Sequence, residues 1–131
     1  MMISTRGRYA LRVMIDLAQN SEGTYIAMKE VAARQEVSLK YLERILPLLV
    51  KAGLVEGVHG KGGGYRLTKK PEEYRLIDIL KVTDSLAPVE CLDCEVNTCE
   101  RKENCPTLPL WTEFGEVIEE FFSSKTLSDL I

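Results

Sequence analysis

The chain has 131 residues and a formal net charge of −3, and hydrophobic residues make up 45% of it. This size and apolar content favour one compact domain with a small appendage and exclude a disordered protein. No stretch approaches the roughly 18–20 apolar residues of a membrane span, and the N-terminus lacks the apolar region of a secretory signal, so we expect a cytoplasmic protein that makes no membrane contact.

Charge is distributed unevenly along the chain. Residues 1–70 hold 12 Lys/Arg and 6 Asp/Glu, a net of +6, whereas residues 71–131 hold 5 and 14, a net of −9. A basic surface binds phosphates by displacing the counterions of DNA. The sequence therefore predicts a first half that binds double-stranded DNA and an acidic second half that faces away from it.

A first helix is predicted after the N-cap candidate Ser4, and its apolar positions recur at helical spacing as far as Gln19. Its first turns carry three arginines, Arg6, Arg8 and Arg12. Phosphate contacts and a solvated face both remain open for these side chains, with phosphate contact favoured less for Arg12.

Two further helices are predicted at Met28–Gln35 and Leu39–Ala52, joined by a tight connection. This spacing is typical of a helix-turn-helix, whose second helix enters the major groove. Pro47 lies inside the second helix and is expected to kink or shorten it. Near its N-terminal end, four side chains point off the apolar stripe: Lys40, Tyr41, Glu43 and Arg44.

A β-hairpin is predicted directly after these helices, with strands at 54–58 and 65–68 and a glycine-rich tip at 59–64. A hairpin in this place is a wing, and its glycines allow close approach to a nucleic-acid backbone. A nucleotide phosphate loop is disfavoured because these glycines lead into a strand, not into a helix. His59 is a DNA-facing or solvated group, or a metal ligand.

The second half begins with a fourth helix that ends near Asp84. Apolar and aromatic residues then recur at helical spacing from Leu110 to Phe122, with more aromatic area than so small a chain buries. We interpret this segment as a dimerisation helix, the alternative being a helix that docks on its own domain. Thr126 to Asp129 has the pattern of a capping box that opens a short last helix.

Together these elements predict a mainly α protein with a small β-hairpin wing. The expected divisions are a winged helix-turn-helix DNA-binding domain at 1–84, a cysteine-rich loop at 85–107, and a dimerisation helix with a C-terminal helix at 108–131.

All four cysteines fall within one polar stretch: Cys91, Cys94, Cys99 and Cys105. Clustered thiolates suit zinc, copper(I) or an iron–sulfur cluster. Zinc sites more often show paired C-x-x-C motifs, and only one is present, whereas iron–sulfur clusters accept uneven spacings. Two disulfides are disfavoured because a chain without a signal peptide stays in a reducing compartment. The stretch therefore favours a 2Fe–2S or 4Fe–4S cluster, with zinc as the alternative.

Five motifs are shared with known regulators: Ser4-Thr-Arg-Gly-Arg-Tyr-Ala10, Ser38-Leu-Lys-Tyr-Leu-Glu43, Gly53-Leu-Val55, Gly60-Lys-Gly-Gly-Gly-Tyr65, and Cys99-x₅-Cys105 leading to Leu110-Trp111. Through them the chain resembles the IscR/NsrR-type winged-helix regulators of the Rrf family, over essentially its whole length. The resemblance implies a homodimeric transcriptional repressor with a dyad-symmetric operator. It also implies that a cluster tunes DNA affinity in response to iron–sulfur status, redox state or nitric oxide.

Carried over by position, the resemblance places Ser38, Lys40, Tyr41, Glu43 and Arg44 at the major groove, and His59 with Gly60 at the minor groove. Arg6, Arg8, Tyr9 and Lys61 complete the predicted DNA-binding set. Relatives carry arginine where this chain has His59, and arginine suits a narrow minor groove better, so we expect a different DNA preference.

The resemblance also implies cluster ligation by Cys94, Cys99 and Cys105. Relatives supply the fourth ligand from a histidine after the last cysteine or from a carboxylate on the partner's first helix, and this chain has Leu108 and Arg8 at those places. Cys91 is the expected substitute.

The sequence leaves two other classes of function open. One is a winged-helix regulator with a structural zinc or no metal, responding to a partner protein or a small molecule. The other is an enzyme with a low-pKa cysteine, which we disfavour because no histidine accompanies the cysteines in sequence.

Overall fold

The computed structural model of the chain describes residues 3–131. The helices are α1 (Thr5–Asn20), α2 (Met28–Gln35), α3 (Leu39–Lys51), α4 (Leu76–Thr83) and α5 (Leu108–Ser124), and the strands are β1 (Val55–Val58) and β2 (Gly64–Leu67). Short 3₁₀ turns lie at Pro71–Glu73, Glu90–Leu92 and Leu127–Leu130. The mainly helical fold with one hairpin confirms the predicted fold class. Between residues 3 and 131, no helix is both long enough and apolar enough to cross a membrane.

Helix α1 begins at the predicted cap. The Ser4 hydroxyl accepts a hydrogen bond from the Gly7 N–H at 3.0 Å. The Asp84 carboxylate, just beyond the end of α4, accepts one from the Ser4 N–H at 3.1 Å. Gly7 is buried, and a Cβ atom there would overlap Asp84 Oδ2. The start of α1 and the end of α4 are therefore in direct contact, and a side chain at position 7 would displace the Asp84 carboxylate.

The turn between α2 and α3 is closed by backbone hydrogen bonds. Glu36 adopts the left-handed conformation with φ 54°, and the Val37 N–H donates to the Ala32 carbonyl at 3.1 Å. Ser38 then caps α3 by accepting from the Tyr41 N–H at 3.1 Å. The helix-turn-helix unit predicted from the sequence is present.

Pro47 does not shorten α3, which continues to Lys51. Buried leucines and isoleucine lie on both sides of the proline: Leu42, Ile45, Leu46 and Leu49. Their packing holds both halves of the helix on the core and offsets the one backbone hydrogen bond that proline removes. Of the two effects expected of Pro47, a kink or a shortened helix, the shortening does not occur, for this reason.

Gly53, with φ 75°, follows the last residues of α3 and reverses the chain direction. Its N–H donates to the Val50 carbonyl at 2.9 Å, and the Leu54 N–H donates to the Leu49 carbonyl at 3.0 Å. This pair of bonds is the Schellman motif, which needs a left-handed residue where glycine costs least.

The wing, residues 55–67, is an antiparallel hairpin in which Val55 pairs with Leu67 and Val58 pairs with Gly64. Ile26 and Tyr65 exchange two backbone hydrogen bonds of 2.9 Å each. The hairpin is thereby attached to the segment that precedes α2, which fixes the wing relative to the helix-turn-helix.

The main core joins all the elements of the winged domain, and it includes one residue from the C-terminus. Leu127 is fully buried in this core, and its N–H donates to the Tyr74 carbonyl at 2.9 Å. A second, smaller cluster joins α4 to α5 and comprises Ile77, Leu80, Leu86 and Ile118. The C-terminal turn, predicted as a capping box at Thr126 and Asp129, therefore returns to the winged domain.

Tyr74 organises the connection between the wing and α4. Its buried hydroxyl donates to the Leu54 carbonyl at 2.8 Å and accepts from the N–H groups of Thr68 and Lys69 at 2.8 and 2.9 Å. The segment between the wing and α4 is thus tied to the core by a satisfied buried hydroxyl.

Candidate nucleic-acid interface and cysteine segment

Helix α3 has two distinct faces. One carries the four buried apolar residues of the core, and the other carries the exposed side chains of Lys40, Glu43 and Arg44. Within residues 3–131, none of these three forms an ion pair with another side chain. The N-terminal half of α3 therefore presents uncommitted charges to solvent, as a groove-binding helix requires.

The wing has an anchored base and an exposed tip. At the base, the Arg66 guanidinium donates to the Gly23 carbonyl at 3.0 Å, lies 4.4 Å from the centre of the Tyr25 ring, and pairs with Glu56. At the tip, His59, Gly60 and Lys61 are all exposed, and the φ of Gly60 is 96°. A fixed base with a small, basic tip suits insertion against a phosphate backbone.

The basic residues at the start of α1 are also on the surface. Arg6 and Arg8 are exposed, and Arg8 Nη2 donates to the Thr5 hydroxyl at 3.2 Å. Tyr9 is half-buried and meets Tyr41 of α3 edge to face, with ring centres 5.5 Å apart. The structure thus brings together two of the predicted DNA-binding residues, Tyr9 and Tyr41, in direct contact.

Sequence reasoning missed a polar cluster behind that contact. The Asp16 carboxylate is only 1% exposed, and it binds the Arg34 guanidinium and the Gln35 amide. Gln35 in turn accepts from Arg12, whose guanidinium lies against the Tyr9 ring. One signal was available in the sequence: Asp16 occupies an otherwise apolar face of α1.

The cysteine segment, residues 85–107, is mostly exposed. Cys94 and Cys99 are exposed, Cys91 and Cys105 are half-buried, and all four are free thiols. Leu86 is the one buried residue between 85 and 107. Throughout residues 3–131, no three His, Cys, Asp or Glu side chains are grouped so that they could hold a metal ion. The donor set suits a soft metal or a cluster, although the four sulfurs are not assembled around one point.

Cys105 differs from the other thiols in its hydrogen bonding. Its sulfur lies 3.3 Å from the Thr107 hydroxyl. Hydrogen bonds from the Thr107 side chain and backbone, followed by the backbone of Leu108 and the charge of Arg101, lower the pKa of the Cys105 thiol. The thiolate, which is the form that binds metals, is therefore favoured at this position.

Helix α5 has one face on the domain and another in solvent. Ile118 is buried and Phe122 is half-buried against the smaller core cluster. The adjoining face carries an apolar stripe of four side chains, each 46–56% exposed: Leu110, Phe114, Val117 and Phe121. The prediction that α5 carries more apolar area than one domain buries agrees with this exposure, and part of the helix docks on its own domain.

A family described as "Rrf2: Iron-dependent Transcriptional regulator" matches residues 3–131. The chain belongs to the Rrf2 family. It is 35% identical to the protein rrf2 of Nitratidesulfovibrio vulgaris, with the alignment covering 100% of this chain and 87% of that protein.

Two solved structures show the same architecture as this Rrf2-family chain. The structure of CymR (YrzC), the global cysteine regulator of B. subtilis, is 33% identical with a TM-score of 0.79, covering 99% of this chain and 95% of that one. The structure of IscR from T. potens is 32% identical with a TM-score of 0.74, covering 99% and 85%.

These comparisons confirm the predicted family and winged fold. The chain is a DNA-binding transcriptional regulator of the Rrf2 family, and it is not an enzyme. The individual DNA-binding residues, the cysteine ligands and the domain divisions stay predictions.

Proposed function

We propose that this regulator binds a dyad-symmetric operator as a homodimeric repressor, and that its cysteine segment holds an iron–sulfur cluster that sets DNA affinity. The observation that carries the DNA-reading part is the two-faced α3. Its buried face is fixed in the core, and its N-terminal half presents the exposed side chains of Lys40, Glu43 and Arg44 to solvent.

Glu43 is the residue expected to select sequence. A carboxylate repels phosphates, so its place on a DNA-facing helix is unfavourable unless it meets a donor, and the N4 amino group of cytosine is such a donor. Lys40 is expected to contact guanine in the same groove. Arg6 and Arg8 lie on another helix, and they supply phosphate contacts that position the protein.

The homodimer is supported by the exposed stripe of α5. Its members recur at intervals of four, three and four residues: Leu110, Phe114, Val117 and Phe121. This is the spacing of a seam between two helices, and an exposed apolar seam costs free energy until it is covered. A second copy of α5 covers it with the same residues, as twofold symmetry requires.

The cluster is supported by the chemistry of the cysteine segment. Four free thiols lie in 15 residues that contain little apolar packing, and the thiolate of Cys105 is favoured by its hydrogen bonds. Cys94, Cys99 and Cys105 would hold the cluster, with Cys91 as the fourth ligand. A bound cluster supplies a centre that oxidants and nitric oxide alter.

A second candidate function is a regulator without a cluster, which responds to a small molecule or a partner protein. It is favoured by two observations: the sulfurs are not assembled around one point, and the matching B. subtilis structure is of a cysteine regulator. A structural zinc is the metal-bound form of this alternative. Iron and sulfide analysis with a visible spectrum of anaerobically purified protein separates the two, because zinc thiolates do not absorb visible light.

The test of DNA reading compares Glu43→Ala with Arg8→Ala. A duplex selected from a random library by the wild-type protein serves as operator. Glu43→Ala should reduce discrimination at one base pair of each half-site by about 1–3 kcal/mol. Arg8→Ala should weaken binding to all duplexes alike and reduce its dependence on salt. An unchanged ranking of operator variants with Glu43→Ala would show that α3 does not read the bases.

A further inference from the structure

The cluster behind the first turn of α3 links a buried carboxylate to the DNA-facing surface through five residues. We infer that Asp16, Arg34, Gln35, Arg12 and Tyr9, here called the positioning cluster, fix the pose of Tyr41 and thereby set operator discrimination. In this assignment Arg12 is a positioning residue and not a phosphate contact. The inference rests on the proposed role of α3 in reading bases.

The cluster starts from a charge that must be satisfied inside the protein. Asp16 lies on the core face of α1, and a buried carboxylate remains stable only when donors surround it. Arg34 donates to it in a forked arrangement, from Nη2 at 2.7 Å and from Nε at 3.0 Å. Gln35 Nε2 donates to it at 3.0 Å. Because the buried Asp16 carboxylate needs these donors, it fixes the side-chain positions of Arg34 and Gln35, the last two residues of α2.

The orientation of the Gln35 amide positions Arg12. Because its amide nitrogen faces Asp16, its amide oxygen faces away and accepts from Arg12 Nε at 3.0 Å. Arg12 Nη2 also donates to the backbone carbonyl of Gln35. That carbonyl ends α2, where backbone acceptors lack helical partners and a positive charge is favourable. Arg12 thus braces the turn that leads into α3.

Arg12 reaches α3 through two aromatic rings. Its guanidinium carbon lies 4.6 Å from the centre of the Tyr9 ring. Tyr9 meets Tyr41 at 5.5 Å between ring centres and 75° between ring planes. Tyr41 belongs to the first turn of α3, beside Lys40 and two residues before Glu43. A shift of Tyr41 therefore displaces the side chains proposed to read bases.

The environment of Arg12 argues against a phosphate contact. Its Nε and Nη2 groups are both bonded within the protein, and its side chain is half-buried. Arg6 and Arg8 on the same helix are exposed. The guanidinium of Arg12 donates two hydrogen bonds to Gln35 and stacks on the Tyr9 ring, so its position is fixed. The ammonium group of lysine does not reproduce this planar geometry.

The experiment measures the affinity of the full chain for the selected operator and for a scrambled duplex of equal length, each over a range of salt. The variants are Arg12→Met, Arg12→Lys and Gln35→Met, and thermal melting of each one sets a temperature at which it is folded. We expect all three to lower the operator-to-scrambled affinity ratio by about tenfold, the scale of one lost base contact. Affinity for the scrambled duplex and the salt slope should stay as in the wild type.

Three results would overturn the inference. If Arg12→Met weakens both duplexes equally and lowers the salt slope by about 0.9, Arg12 is a phosphate contact. If Arg12→Lys has the wild-type ratio of operator to scrambled affinity, the positive charge at position 12 is sufficient and the hydrogen-bond geometry of Arg12 is not required. If the ratio is unchanged in Gln35→Met and in Arg12→Met, the cluster serves stability only.

Failure of the proposed function looks different from failure of the positioning cluster. A wild type that does not discriminate, or a Glu43→Ala variant with unchanged base preference, removes the recognition role of α3 and the inference with it. The other pattern is a wild type that prefers its operator and a Glu43→Ala variant with changed base preference. If the Arg12 and Gln35 variants then keep the wild-type affinity ratio, only the positioning role is removed.

Discussion

At the scale of single residues, the fold depends on polar groups that are hydrogen-bonded and withdrawn from solvent. Tyr74, Asp16 and the half-buried Asp84 each join segments far apart in sequence through hydrogen bonds. A buried polar group that loses its partner costs about 1–3 kcal/mol, so Tyr74 and Asp16 in particular specify the arrangement of the elements they join. The joint between Ser4, Gly7 and Asp84 links the start of α1, where phosphate contacts are proposed, to the residue that precedes the cysteine segment.

Replacing Gly7 with alanine tests this joint. In an open helix, alanine would stabilise by up to about 1 kcal/mol over glycine. Here the added methyl group would overlap the Asp84 carboxylate, which the Ser4 N–H and the Thr83 hydroxyl hold in place. We expect Gly7→Ala to destabilise the protein by about 1–3 kcal/mol, as other overpacking changes do, measured by urea unfolding.

The control for Gly7→Ala is the same change in an Asp84→Ala background. Once the carboxylate is gone, the methyl group has space, and Gly7→Ala should become neutral or stabilising. Additive effects in this double-mutant cycle would show that the two residues do not compete for the same space.

At the scale of elements, α5 serves two surfaces at once. Ile118 and Phe122 pack on the domain, while the exposed stripe of Leu110, Phe114, Val117 and Phe121 faces solvent. Because the two sets lie on different faces of one helix, association through the stripe and docking through Ile118 do not conflict. A change in the stripe should therefore affect association without unfolding the domain.

We expect Val117→Glu to shift the proposed dimer towards monomer. Val117 is 56% exposed in the single chain, so a carboxylate there is solvated in the monomer but buried and unpaired in the proposed dimer. Sedimentation should show the dimer dissociation constant rising at least about tenfold, which corresponds to 1.4 kcal/mol. Circular dichroism should be unchanged.

Thr112→Glu provides the matched control, because Thr112 is exposed on α5 outside the stripe. It introduces the same charge and should leave the dimer intact. A wild type that sediments as a monomer, or a Val117→Glu variant that remains dimeric, would contradict the proposed interface.

At the scale of the whole molecule, local signals in the sequence identified the elements but not how they come together. The caps at Ser4 and Ser38 and the glycine at 53 were predictable because each acts within a few residues. The bond from Arg34 to Asp16 spans 18 residues, and the hydrogen bond between Tyr74 and Leu54 spans 20. Such contacts depend on how the chain returns, which no local period encodes.

The cysteine segment shows the same limit. The short spacings between the cysteines allow their sulfurs to converge. They do not determine where the side chains point in a loop that has one buried residue between 85 and 107. Leu127 is a related case, since nothing near it in sequence indicates that it belongs to the main core. Long-range packing places Leu127, whereas the thiols lack such packing.

The second half of the molecule is strongly acidic and contains all four thiols. Residues 71–131 carry a net of −9, and each ionised thiol adds to this repulsion. A cationic iron–sulfur core would offset this repulsion, and on the proposed function we expect anaerobically reconstituted protein to absorb visible light. Cys99→Ser and Cys105→Ser should abolish this absorption, because they remove two of the proposed ligands. Cys91→Ser should weaken it or shift its maximum, with Asp93→Asn as the matched control. An unchanged spectrum of Cys91→Ser would show that another donor is the fourth ligand. Stoichiometric zinc without iron or sulfide in the reconstituted protein would contradict the proposed cluster itself.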